Sequence, residues 1–426
     1  MTTHTQANTP AVGYAALVRG NPNFRNLWLG QIVSLLGDWF NLIASAALVG
    51  ALTQSGLAIG SLFVVRMLAP FLISPIAGVV ADRYNRKHIL IAADLVRAVT
   101  VFGFLFVREP GHVWILYTLT AVQLALSGFF FPARNAILPD VTTPEELGAA
   151  NALSSATWSV MLAVGAALGG LVSGTWGIYP AFVIDGLTFL LSAFFIWQVR
   201  VHSVPSLAAS DKSVAAAVGQ YVEGLRYLRQ NLDVLAVAVQ KGVNSFFLSS
   251  GFQVLQVAIA QDVFVIGEGG GVSLGLMFAL AGVGTGLGPI LARRYTGDRN
   301  RALRWAIALG YLIGGAGMVL TAPLTSFGVV LLGTALRGIG GGMIWVFSTQ
   351  LLLQTVPGQV RGRVFAMEFA IFYLASAAAS SLVGAGLDTS LGISGVIWWM
   401  AGLSLIPAGL WTFYVWRKGQ TAVTAP

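Results

Sequence analysis

The chain has 426 residues, of which 56% are hydrophobic and only 9% charged, with a mean hydropathy of +0.78 and a formal net charge of +8. A soluble domain carries about 25% charged residues, so a water-facing surface cannot be built from this composition, and a soluble enzyme or nucleic-acid-binding domain is excluded. There is no cysteine, which removes disulfides, thiolate metal sites and cysteine nucleophiles.

In chain order, residues 1–23 are polar and lack the apolar core and cleavage site of a removable signal, so they read as a cytoplasmic segment followed by a first span that is itself the insertion signal. Runs of ~20 apolar residues can cross a bilayer. They fall at 24–52, 57–80, 88–107, 113–131, 152–174 and 180–199, and again at 234–259, 271–292, 302–322, 326–348, 364–386 and 393–416. Barrel strands would alternate over ~10 residues, whereas these runs are apolar on every face. The reading is an all-α membrane protein of twelve transmembrane helices, divided into bundles at 24–200 and 234–416. Residues 201–233 form a hydrophilic cytoplasmic linker, linker-like from Ser203 to Lys212, with an amphipathic helix from Val214 to Arg229 expected on the membrane face. Residues 417–426 are a short tail. The halves echo one another: Phe131 to Asn151 and Ser348 to Val364 each follow a descending span, and Pro144 and Pro357 lie 213 residues apart. Two six-helix bundles with a site between them are a recurring transporter plan.

Nineteen Lys and Arg residues, Arg134 among them, fall in the segments on one side of these spans, against Arg108 on the other. The positive-inside rule then predicts both termini in the cytoplasm. It also accounts for the high pI without nucleic acid.

The connection after the second span reads GVVADRYNRKHIL, Gly78 to Leu90. It resembles the loop signature of the major facilitator superfamily at Gly78, Ala81, Asp82, Arg83, Arg86 and Lys87, with Val80 for Leu and Asn85 for Gly; asparagine also tolerates a left-handed backbone. The resemblance implies that Asp82 and Arg83 latch the two halves on the cytoplasmic side. Gly165 to Gly170 (GAALGG) is similar to an exporter-associated signature, with Ala166 in place of proline, and equally suits close helix packing. LLGDW in the first span, FPARNAILPD (Phe131 to Asp140), EGLRYL (Glu223 to Leu228) and RGRVF (Arg361 to Phe365) resemble the branch of macrolide and enterobactin-type exporters. That resemblance implies a bacterial inner-membrane protein with a small-molecule substrate, protons or another ion as the driving partner, a monomer, and no cofactor or metal.

A charge at the bilayer centre costs ~3 kcal/mol or more unless it is paired or faces water. Asp38, Asp94, Asp185 and Glu368 fall inside the spans, as do Arg66, Arg97, Lys241 and Arg337. Asp38, about fourteen residues into the first span, should lie near the midplane at ~1.5 Å per residue. Desolvation favours a neutral carboxyl and a nearby arginine favours the charged form, so a cavity aspartate beside a movable arginine can exchange a proton in each cycle. Arg66 and Arg337 are expected at similar depth, as substrate contacts or counter-charges to Asp38 and Glu368. Arg337 with Gly338, Gly340, Gly341 and Gly342 resembles the family's arginine-plus-glycine motif, which is usual in the fourth span, where Thr120 and Gln123 stand instead. Asp94 and Arg97, three apart on one helix face, suggest a local structural pair; Asp185 and Lys241 are expected nearer span ends. Trp39, Phe40, Phe246 and Phe247 are candidate cavity aromatics, with core packing as the alternative.

These features point to proton-coupled efflux by alternating access. Lipid or lysolipid transport, import, or a sensor or scaffold without transport are the competing functions, and no enzyme motif is visible.

Overall fold

A computed structural model of the protein describes residues 13–201 and 214–421. Within the described residues there is helix and no strand, as expected where lipid offers a bare backbone no hydrogen-bond partner. Twelve helices are long and apolar enough to span a bilayer: Pro22–Thr53, Gly56–Ala77, Arg86–Phe106, Pro110–Asp140, Pro144–Thr175, Ile178–Trp197, Leu232–Val263, Glu268–Thr296, Asn300–Thr321, Phe327–Thr355, Gly358–Leu387 and Gly392–Lys418. They form two pseudo-symmetric bundles of six.

Several helices outrun their apolar runs because polar caps extend them. Asn21 accepts from the Phe24 N–H ahead of the first span, and Thr143 with Glu146 forms a capping box ahead of the fifth. A helix of 32 residues is ~48 Å long at 1.5 Å per residue, well beyond the ~30 Å hydrocarbon layer. The start of the linker, Ser203 to Lys212, lies outside the described residues, as do residues 1–12 and the end of the tail.

The linker helix Val214–Gln230 occupies the expected place, but it is seated on protein. Gly224 approaches the backbone of Arg363, and Glu223 pairs with Arg363 at 3.0 Å. The eleventh helix thus takes the place of the membrane surface on which the sequence pattern laid this helix.

The bundles touch closely at the end opposite the basic connections. Gly170 and Gly174 of the fifth span lie against Gly275, Gly271 and Val272 at the start of the eighth, so closely that a side chain at Gly170 would collide with backbone. Gly56 and Gly60 of the second span meet Leu387, Gly384 and Ser380 of the eleventh in the same way. Small residues let helix backbones approach where lipid supplies no hydrophobic drive. GAALGG is therefore a packing surface here, with Gly165 against Trp39, Gly169 against Phe40 and Gly170 against the other bundle. In the tenth span, Gly338 and Gly342 meet carbonyls of the eighth span and Gly340 a carbonyl of the ninth. Those glycines hold three helices together.

A candidate charged cavity in the N-terminal bundle

The N-terminal bundle encloses a cavity of about 520 Å³ lined by Gln31, Ser34 and Asp38 of the first span, Arg97, Phe130, Phe131 and Arg134, and Asn151, Ser154 and Trp158 of the fifth. Volumes of this order suit small organic ligands. Asp38, midway along its helix, keeps 24% of its side chain exposed in the wall. Its Oδ1 accepts from Arg97 Nη2 at 2.6 Å, and Arg97 Nη1 reaches Asp94 Oδ1 and Ser34 Oγ, each at 3.2 Å. Asp94 also accepts from Ser192 at 2.6 Å. Arg97 lies 3.9 Å from the Phe189 ring centroid. The result is a chain from cavity to core: an accessible carboxylate, a sealed guanidinium and a sealed carboxylate.

Asp185 is wholly buried beside this chain, and neither carboxyl oxygen has a hydrogen-bond partner among the described residues. It fits because Gly37 has no side chain there. Arg66 is half-buried and feels the charges of Asp38 and Asp185 without direct contact with either.

The C-terminal bundle handles its charges differently. Lys241 Nζ and Glu368 Oε2 pair at 3.0 Å with almost no exposure on either side. The ammonium also faces the rings of Trp345 at 4.5 Å, Phe369 at 4.9 Å and Phe365 at 5.8 Å. Arg337 donates to the Leu248 carbonyl at 3.1 Å and lies 4.4 Å from the Phe252 ring. None of these residues lines the N-terminal cavity.

Several expectations change. Arg97, read as half of a local pair with Asp94, is the direct partner of Asp38; the neighbouring third span reaches it, whereas Arg66 and Arg337 do not. Glu368 pairs with Lys241 instead of a cavity arginine. Asp185 and Lys241 are sealed inside by what packs on them, Gly37 of the first span against Asp185 and Glu368 with Trp345 against Lys241. Arg134, counted with the solvated basic residues, is 6% exposed within the fourth helix and lines the cavity. Trp39 packs between Gly165 and Phe278, and Phe40 is buried. Phe246 and Phe247 stand on a π-helical turn, Ser245–Ser249, beside a void of only about 20 Å³. No aromatic of this predicted set lines the cavity; its aromatic surfaces are Phe130, Phe131 and Trp158, two of them in or beside the FPARN segment.

In the basic connection, Asn85 adopts φ −62°, ψ 113° and caps the third helix by accepting from the Lys87 and His88 N–H groups, so the turn is made by capping and needs no left-handed residue. Arg86 pairs with Asp140 at 2.8 Å and Lys87 donates to the Trp197 carbonyl at 2.7 Å. The surroundings of Gly78 and the side chains of Asp82 and Arg83 lie outside the described residues.

The family model described as Major Facilitator Superfamily matches residues 27–380. Among similar proteins, the uncharacterized MFS-type transporter YfiS of Bacillus subtilis is 27% identical over 355 residues, covering 82% of this chain and 83% of that protein. The putative bacilysin exporter BacE of the same organism is 24% identical over 355 residues, covering 81% and 84%. Macrolide efflux protein A of Streptococcus pyogenes is 24% identical over 360 residues, covering 83% and 86%. In fold, the chain is similar to a bacterial homologue of the human lysosomal transporter Spinster, solved in an inward-facing, unoccupied conformation. The TM-score is 0.73 at 16% identity, over 93% of this chain and 96% of that one.

Proposed function

The chain belongs to the Major Facilitator Superfamily, and because it does, we propose that it exports small organic molecules across the bacterial inner membrane by proton-driven alternating access. The basic connections and both termini then face the cytoplasm. The bundles are closed on the outer side, where Gly170 meets Gly275, and the cavity lies between that closure and the cytoplasm. Names of relatives such as a bacilysin exporter and a macrolide efflux protein support export as the direction.

One observation carries the coupling scheme: Asp38 is exposed to the cavity and tied to a sealed arginine that also holds Asp94. A proton on Asp38 cancels its attraction for Arg97, and the guanidinium then turns to Asp94 alone. Because Ser34 and Asp38 stand on the first span, and Asp94 and Arg97 on the third, the exchange alters how two helices are bound together. Cargo entering the cavity meets the ionised Asp38, so proton and cargo compete for one group, as an antiporter requires.

In everted vesicles acidified inside, Asp38→Asn should insert normally and lose pH-gradient-driven uptake by more than tenfold. Coupled transport at the wild-type rate would remove Asp38 from the mechanism.

A further inference from the structure

Arg134 presents an unmatched charge. It is 6% exposed in the cavity wall, yet no carboxylate among the described residues pairs with it. Its partners are neutral: Nη2 donates to Gln31 Oε1 and to Ser154 Oγ, the latter at 2.5 Å, and Nη1 reaches Asn135 Oδ1 at 3.4 Å. Nε has no partner among the described residues. A guanidinium at this depth calls for an anion, and its planar fork is shaped for a carboxylate. Asp38 is the complementary case on the same wall. Its Oδ1 is held by Arg97, while Oδ2 accepts no hydrogen bond among the described residues and the residue keeps 24% of its side chain exposed.

We infer, building on the exporter reading above, that the cargo is amphoteric, with an amine that meets Asp38, a carboxylate that meets Arg134 and an apolar body against Phe130, Phe131 and Trp158. Gln31, which holds Arg134, and Asp38 are seven residues apart on the first helix, hence on one face and ~10 Å apart along the axis. Allowing ~3 Å of contact at each end leaves ~4–5 Å between the cargo's charges, within the span of one to two extended residues at 3.3–3.6 Å each. Small peptide-like zwitterions meet that spacing. The amine at Asp38 preserves competition with the proton, which an anion alone would not.

The test uses phenylalanyl-phenylalanine, its C-terminal amide, its N-acetyl form and the doubly blocked form as four matched probes. Apparent affinity is read from thermal stabilisation of the purified full chain. The free dipeptide should bind at least ~10-fold more tightly than either singly blocked form. Arg134→Gln should erase the preference for a free carboxylate and keep that for a free amine, and Asp38→Asn should do the reverse. Arg134→Lys retains the charge without the fork and should keep part of the carboxylate preference, which separates a fold defect from a lost contact. Equal binding of the amide and the free acid, a carboxylate preference that survives Arg134→Gln, or no stabilisation by any of the four would overturn the assignment. Export in everted vesicles of a purely cationic dye, unaffected by Arg134→Gln, would also overturn it while leaving the exporter reading intact. Dipeptide binding with the predicted preferences but no pH-gradient-driven uptake would sink export and spare the cargo class.

Discussion

The two bundles place ion pairs in the same membrane and use them in opposite ways. Asp38–Arg97–Asp94 opens onto a cavity at one end, through an aspartate with a quarter of its side chain exposed. Lys241–Glu368 has neither charge in reach of water and an ammonium surrounded by Trp345, Phe365 and Phe369. A charge that must gain and lose a proton needs a path to water, whereas one that only joins helices is better without it. Pairing alone therefore does not identify a coupling site; access does. By that criterion the proposed coupling belongs to the N-terminal bundle, and the C-terminal pair ties the seventh helix to the eleventh.

The largest effect should come from Arg97→Met, which leaves Asp38 and Asp94 facing each other without a cation. Breaking a buried pair by removing one member costs about 3–5 kcal/mol, and here two acids lose their common partner. The expected outcome is a fall in thermal unfolding temperature together with complete loss of coupled transport. Arg97→Met with near-wild-type stability would show that the network is not what holds the first and third helices together.

The sharper test is the double replacement Lys241→Met with Glu368→Leu. Replacing a whole buried pair by apolar residues is often neutral or stabilising, by up to about 4 kcal/mol, so the double variant should be at least as stable as the wild type. Either single change should cost several kcal/mol. If the comparison is right, the double variant keeps pH-gradient-driven transport within about twofold. Loss of coupling in a stable double variant would move Glu368 back among the proton-carrying groups.

The apolar runs make the number of helices legible, because lipid forces each run to be helical whatever its neighbours do. Depth was less legible. Lys241 lies in the first turns of its hydrophobic run, where a long side chain could reach the surface, but Glu368 and the rings of Trp345 and Phe369 hold the ammonium inside. Partnership was less legible still. Asp94 and Arg97 are neighbours on one helix and can be paired from spacing, whereas Asp38–Arg97 spans 59 positions and depends on which helix faces which. The spacing of charges in a sequence contains no such information. Arg134 was hidden for another reason: the apolar run ends near Phe131, but the fourth helix persists to Ile137 and holds the arginine against Gln31 and Ser154. A positive charge just past a hydrophobic run is ambiguous unless the helix boundary is known.

The smallest predicted effect concerns an acid outside the membrane-spanning helices, one that pairs with no cation among the described residues. Asp388, between the eleventh and twelfth spans, accepts from the Gly56 N–H at 2.6 Å, the Leu57 N–H at 3.0 Å and the Ser55 hydroxyl at 2.8 Å. A side-chain carboxylate of the C-terminal bundle thus caps the second span, in the N-terminal bundle, a favourable placement worth about 0.5–1 kcal/mol on an exposed surface. Its partial burial favours the neutral acid, but the three donors outweigh that and hold the carboxyl below its ordinary value. A lowered value means that the contact is fully present above about pH 4 and is lost only as pH falls further. Any pH dependence of transport between pH 5 and 8 must therefore arise elsewhere. Because the chain has no cysteine, a single Ile59→Cys reports on this site alone; Ile59 is 4% exposed and lines the same vestibule of about 450 Å³ as Asp388. Adding Asp388→Asn should raise its labelling by a membrane-impermeant thiol reagent about two- to fivefold, as expected for a loss of 0.5–1 kcal/mol. The ratio should stay flat from pH 8 to 5, and an unchanged labelling rate would mean that the glycine contacts alone keep the bundles closed.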